Sequence, residues 1–177
     1  MNYEIITGDV LECAADVLVS TANPWLNMSG GVNGAIFAKC GDGIQAELRE
    51  HQCLAGKPDL PAGSVVRTSA GPLAFRHIIH AVAIDPFYDS SIEIVRDTLI
   101  AVFDLALKLK VSTIATPTLA TGYGRMTIED FGAALPPLIV EPRFNFDAVT
   151  IAVRYTVDAS ILKSIFESDA PGYTVLR

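Results

Sequence analysis

Basic residues are scarce in this chain: 13 Lys and Arg stand against 20 Asp and Glu, a formal net charge of −7. That balance excludes broad nucleic-acid binding, because a phosphate backbone demands stripes of Lys and Arg. It leaves room for a single anionic ligand, which backbone N–H groups and a helix N-terminus can hold without basic side chains. Cysteine is equally sparse. Cys13, Cys40 and Cys53 are odd in number and show no CxxC spacing, which excludes a disulfide framework or a thiolate metal site. They read as free thiols, with Cys40 as core filler. No apolar run approaches the roughly 18 residues of a membrane helix. The start Met1-Asn2-Tyr3-Glu4 lacks the basic and then apolar character of a signal peptide. A cytoplasmic protein without membrane attachment is the expectation, and neither a metal nor a redox cofactor is implied.

What the chain has is hydrophobic residues, half of its 177, enough to bury one substantial core. Tyr3–Thr7 and the apolar Val17–Thr21 read as strands, the second buried on both faces. Ala35–Arg49 carries Ile36, Phe37, Cys40, Ile44 and Leu48 at helical spacing, with Gly41 and Gly43 as places to break. Pro58–Gly63 is a turn, and Ser64–Ser69 and Arg76–Val82 are strands. Ser91–Leu109 is the strongest helix, with Ile94, Leu99, Val102, Leu105 and Leu109 on one face. Thr113–Thr116 and Ala148–Arg154 are strands; Thr127–Leu135 and Ala159–Phe166 are helices, the last with Asp158 as N-cap. This alternation predicts a single α/β domain over residues 1–168, a mixed central sheet between helices. Residues 169–177 read as a C-terminal tail.

In such sheets ligands bind beyond the carboxyl ends of the strands, and three of those loops are unusual. Gly8-Asp9-Val10 offers a carboxylate that could accept from an exocyclic amine, or could simply cap a turn. Ser29-Gly30-Gly31-Val32-Asn33-Gly34 runs into a helix; glycines let backbone approach a phosphate, and the helix supplies free N–H groups. It is neither a P-loop nor GxGxxG. Pro117-Thr118-Leu119-Ala120-Thr121-Gly122-Tyr123-Gly124 suits a second wall around a diphosphate, with Tyr123 covering a ribose. His77 and His80 sit in a buried strand and read as hydrogen-bonded structure. His51, beside Gln52 and Cys53, falls in an expected loop.

The ordered set resembles a macrodomain, the ADP-ribose-binding module. The pieces that carry the resemblance are Gly8-Asp9-Val10, Asp16-Val17-Leu18-Val19-Ser20-Thr21-Ala22-Asn23, Gly30-Gly31-Val32-Asn33-Gly34-Ala35-Ile36, Pro61-Ala62-Gly63-Ser64-Val65-Val66-Arg67-Thr68, His77-Ile78-Ile79-His80-Ala81-Val82 and Thr116-Pro117 with Thr121-Gly122. The resemblance implies a three-layer α/β/α sandwich. It implies that Asp9 binds the adenine amine while the Val10 backbone frames the ring. Ser29, Gly30, Gly31 and Val32 would line one side of the diphosphate, and Thr121, Gly122, Tyr123 and Gly124 the other. Asn23 would hydrogen-bond the distal ribose.

Two departures bear on activity. Many hydrolytic macrodomains carry Asp where this chain has Asn33, and Asn can position water but cannot accept its proton. Ser20-Thr21-Ala22-Asn23 replaces the more usual Asn-Ala-Ala-Asn. The catalytic candidates implied by the resemblance are therefore Asn23 and Asn33, in a hydrolase acting at the distal ribose. The alternatives are a non-catalytic reader of ADP-ribosylated protein or nucleic acid, and a phosphatase or deacylase of ADP-ribose derivatives. Arg154 stands where the family often places an aromatic under adenine; its guanidinium could stack there, or Tyr155 could take over.

Overall fold

In the computed structural model, residues 2–169 and 175–176 are described. The strands are β1 (Asn2–Thr7), β2 (Val17–Ala22), β3 (Val65–Thr68), β4 (His77–Val82), β5 (Thr113–Pro117), β6 (Ala148–Val153) and β7 (Val175–Leu176). They form one sheet in the order β3-β4-β2-β5-β6-β1-β7. β3 runs antiparallel to β4, and every other pairing is parallel. The sheet is therefore mixed, as predicted. Apart from β7, the tail expected over 169–177 lies almost wholly outside the described residues.

The helices are α1 (Gly31–Cys40), α2 (Asp42–Ala55), α3 (Ile92–Lys108), α4 (Ile128–Ala133), α5 (Pro136–Ile139) and α6 (Thr156–Asp169). Side-chain alternation along each strand splits the core into two layers. Leu18, Ala22, Ile78 and Val82 pack beneath Ile36, Ile44 and Leu48 of α1 and α2. Val17, Val19, Ile79 and Ala81 face the other side, under Val95, Leu99, Val102 and Phe103 of α3, Phe131 of α4 and Leu162 of α6. This is a three-layer α/β/α sandwich.

Several boundaries differ from the predicted ones. The helix expected over Ala35–Arg49 is two helices, parted at Gly41 (φ 66°), and the first begins four residues earlier, within the glycine loop. His51 and Cys53 lie in α2 rather than in a loop. Asp158 is not the N-cap of the last helix: α6 starts at Thr156, which puts Asp158 in its first turn. The buried face of α3 centres on Val95, Leu99, Val102, Phe103 and Ala106, a rotation that leaves Ile94 and Leu105 half-buried. Cys13, Cys40 and Cys53 are free. Among the described residues, no helix is long and apolar enough to cross a membrane, and no cluster of His, Cys, Asp and Glu could hold a metal.

At the end of the sheet opposite the strand tips, Asp16 ties three strands together. Its carboxylate accepts from the Ser112 and Thr113 N–H groups at 2.9 and 3.3 Å and pairs with Arg76 at 3.6 Å. The Ser112 N–H above all holds its pKa below the usual carboxylate range.

Candidate functional site

A cleft of about 730 Å³ crosses the carboxyl ends of the parallel strands. A smaller lobe of about 320 Å³ adjoins it, and Gly31, Val32, Pro117, Ala152 and Arg154 line both. The strand order lays out its contents. Ala83–Tyr88 follow β4, Asn23–Gly30 follow β2, Thr118–Gly124 follow β5, Arg154 follows β6 and Asp9 follows β1. The structure thus brings Asn23, Ser29, Gly30, Gly31, Val32, Asn33, Thr121, Gly122, Tyr123, Gly124 and Arg154 to one cleft, with Asp9 and Val10 in the adjoining lobe.

The first glycine loop is held from beneath. Buried Gln45 of α2 accepts from the Met28 N–H at 2.8 Å and donates to the Leu26 carbonyl at 3.0 Å. Asn23 closes the same loop, donating from Nδ2 to the Asn27 carbonyl (2.9 Å) and accepting the Asn27 N–H on Oδ1 (3.1 Å). An amide nitrogen has two hydrogens, so one remains for a ligand. Gly30 is the N-cap of α1 with φ 70° and ψ 172°, and Gly31 has φ 55°. Both need the freedom of glycine. The Gly31–Asn33 stretch is consequently the first turn of α1, where backbone N–H groups lack helical partners and the helix dipole favours an anion.

The second loop folds tightly on itself. Ala120 has φ 60°, the Thr118 and Thr121 hydroxyls share a hydrogen bond of 2.6 Å, and a side chain at Gly124 would run into the Ala120 carbonyl. Tyr123 reaches from this loop to the first: a Cβ on Gly30 would lie 2.6 Å from its hydroxyl. Its ring also meets Tyr88, centroids 6.4 Å apart.

Asn33 is buried at 3% exposure, and the Ser20 hydroxyl donates to its Oδ1 at 2.5 Å. One lone pair of the carboxamide oxygen is thereby taken, while Nδ2 can donate to a ligand oxygen or a water. Asp9 caps the 3-10 turn Val10–Glu12, its Oδ1 accepting the Leu11 N–H at 2.9 Å. The other carboxylate oxygen is not committed to that cap. Capping and ligand binding are compatible here. Arg154 and Tyr155 are both exposed and both line the cleft.

Neither His77 nor His80 lines the cleft. Arg67 donates to His77 Nδ1 at 3.3 Å. His80 Nε2 lies 2.9 Å from the Thr68 hydroxyl, which donates to the Ser69 carbonyl. With that hydrogen spent, Nε2 must carry the proton, and Nδ1 is left buried without a partner. Burial pushes the His80 pKa down to about 4.

Sequence reasoning missed Ile84, Tyr88 and Asp158 as cleft residues and Gln45 as the clamp of the first loop. The signal for Tyr88 was its place just after a strand. Only the pairing of β4 with β2 puts that strand end beside Asn23.

Comparison with known proteins agrees with this geometry. Residues 19–134 match the Macro domain family. An uncharacterized protein of Sulfurisphaera tokodaii is 36% identical over 96% of this chain and 93% of its own length. A macro domain-containing protein of Listeria monocytogenes is 36% identical over 70% of this chain and 71% of its own. Among solved structures, the Oceanobacillus iheyensis macrodomain with ADP superposes with a TM-score of 0.83 at 27% identity, covering 92% of this chain and 88% of that one. The Trypanosoma brucei macrodomain in complex with ADP-ribose shares the fold, with a TM-score of 0.76 at 22% identity over 92% of this chain and 68% of that one. By sequence, sheet order and the cleft across its strand ends, the chain belongs to the Macro domain family.

Proposed function

We propose that the cleft binds ADP-ribose, free or attached to a protein, with adenine in the Asp9 lobe and the distal ribose toward Asn23. One observation carries this reading: the first turn of α1 and a second glycine-bearing loop both line the cleft, whose adjoining lobe holds a carboxylate. Phosphate fits the first turn of α1, and the free Asp9 oxygen suits the exocyclic amine. Relatives determined with ADP and ADP-ribose support the choice of ligand. Calorimetry with ADP-ribose tests it. Binding is expected, and Asp9→Ala should weaken ADP-ribose about tenfold while leaving ribose 5-phosphate unchanged. No heat at millimolar ADP-ribose would sink the reading.

The chain acts in this reading chiefly as a binder of ADP-ribosyl groups rather than as a fast hydrolase. Asn33 cannot take a proton from water, and its oxygen is already engaged by Ser20. Hydrolysis that relies on a substrate phosphate as base stays compatible with Asn23 and the Asn33 amide positioning a water. An ADP-ribosylated peptide should keep its label over long incubation. Asn33→Asp, which can still accept from Ser20, should speed release of ADP-ribose by about 10²-fold. Rapid release by the unsubstituted protein would refute the binder reading.

A further inference from the structure

The loop that follows β4 is built with care, yet the cleft does not account for all of it. Asp85 Oδ1 accepts the Phe87 and Asp89 N–H groups at 2.8 and 2.9 Å, and the Asp85 N–H donates to the Asp89 carbonyl at 2.9 Å. Asp89 pairs with Arg125 at 2.9 Å, which straps this loop to the one after β5. Tyr88 is held at φ 66°, a conformation that is costly for an aromatic residue. The effect is to turn Tyr88 into the cleft against Tyr123. Phe87 is left outside the cleft, 76% exposed, on a backbone that hydrogen bonds fix in place.

Its position along the sheet edge gives this exposure a meaning. Asp9 marks the β1 end of the cleft, and Phe87 belongs to the loop that leaves β4, which β2, β5 and β6 separate from β1. If adenine occupies the Asp9 lobe, the distal ribose points toward β2 and β4, and whatever is attached to it leaves beside Phe87.

We infer that Phe87 is a docking point for the polypeptide segment flanking an ADP-ribosylated side chain; this rests on the ADP-ribose reading of the cleft. Chemistry favours a polypeptide over a nucleic acid. Arg154, at the far end, is the sole cation among the described residues lining the cleft, and the loop itself carries Asp85 and Asp89. Asp89 is paired with Arg125 while Asp85 forms no ion pair among the described residues, so the loop and its strap keep one net negative charge. That disfavours a phosphate backbone, whereas an apolar or basic peptide residue would meet an exposed ring. With its backbone already held by Asp85, an aromatic side chain has only two torsions to order when it is covered, which suits an anchor.

The test compares free ADP-ribose, an ADP-ribosylated peptide with an apolar residue next to the modified side chain, and an ADP-ribosylated oligonucleotide. Binding is measured for the unsubstituted protein and for Phe87→Ala. The peptide should bind the unsubstituted protein about tenfold more tightly than free ADP-ribose, and Phe87→Ala should erase that advantage while free ADP-ribose binds within twofold as before. An advantage that survives Phe87→Ala, or no advantage at all, overturns the docking role and leaves ADP-ribose binding intact. An oligonucleotide advantage that disappears in Phe87→Ala overturns the polypeptide assignment. Failure of free ADP-ribose to bind the unsubstituted protein overturns both readings.

Discussion

His80 shows how much a single side chain can be constrained by its neighbours. It pairs in register with Ser20 across β2 and β4, and Ser20 in turn donates to Asn33. A polar row therefore lies under α1 and α2 in an otherwise apolar layer. The imidazole is neutral in the fold, with a pKa pushed down to about 4 from the ordinary 6.5. Protonation thus favours the unfolded chain. Stability from this group is complete above about pH 6.5 and declines as the pH falls through about 4, below which both states carry the proton. The decline amounts to about 3 kcal/mol at most. Urea midpoints measured between pH 7 and 4.5 should show this slope, and His80→Gln should flatten it. An unchanged slope would place the titration in other groups. The identities of Asn33 and Ser20 were legible in the sequence, and so was the loss of a proton acceptor. Their hydrogen bond was not, because it joins residues 13 apart that only the packing of α1 on β2 brings into contact.

At the scale of elements, both glycine loops are held by contacts within the chain. Gln45 and Asn23 hold the first. Ala120, with its positive φ, and the close approach of Gly124 to the Ala120 carbonyl fix the second. Gly124→Ala should cost about 1–3 kcal/mol in urea unfolding and weaken ADP-ribose binding with it. A variant indistinguishable from the unsubstituted protein in both measurements would show that the loop has room to spare. The sequence marked these loops through their glycines, since glycine is the residue that tight, left-handed backbone selects. It placed the start of α1 too late because Gly30 and Gly31 look like a loop on propensity alone. In the fold, Gly34 donates to the Gly30 carbonyl at 2.8 Å, and the helix begins inside the motif. The same local reading made Asp158 a cap. The helix starts two residues before it, and Asp158 becomes a cleft residue instead.

Across the whole molecule, an acidic protein is proposed to hold a dianionic ligand with almost no cationic side chains. Backbone N–H groups and a helix dipole act at short range, whereas attraction between mobile surface charges is screened by salt. ADP-ribose affinity should therefore change by less than about threefold between 50 and 500 mM salt in calorimetry. A much steeper fall would mean that Arg154, or a cation outside the cleft, carries the binding. The sequence by itself determined the α/β class, the two glycine loops, the carboxylate after β1 and the missing base at Asn33, because each of these is written in residue type and local spacing. Only the tertiary structure decided which loops share a cleft, that Tyr88 and Asp158 join them, and that Phe87, on the loop after β4, is left exposed outside it. The physical reason is the strand order. β4, β2, β5, β6 and β1 are neighbours through hydrogen bonds between segments far apart in the chain, and no local pattern encodes which strand lies beside which.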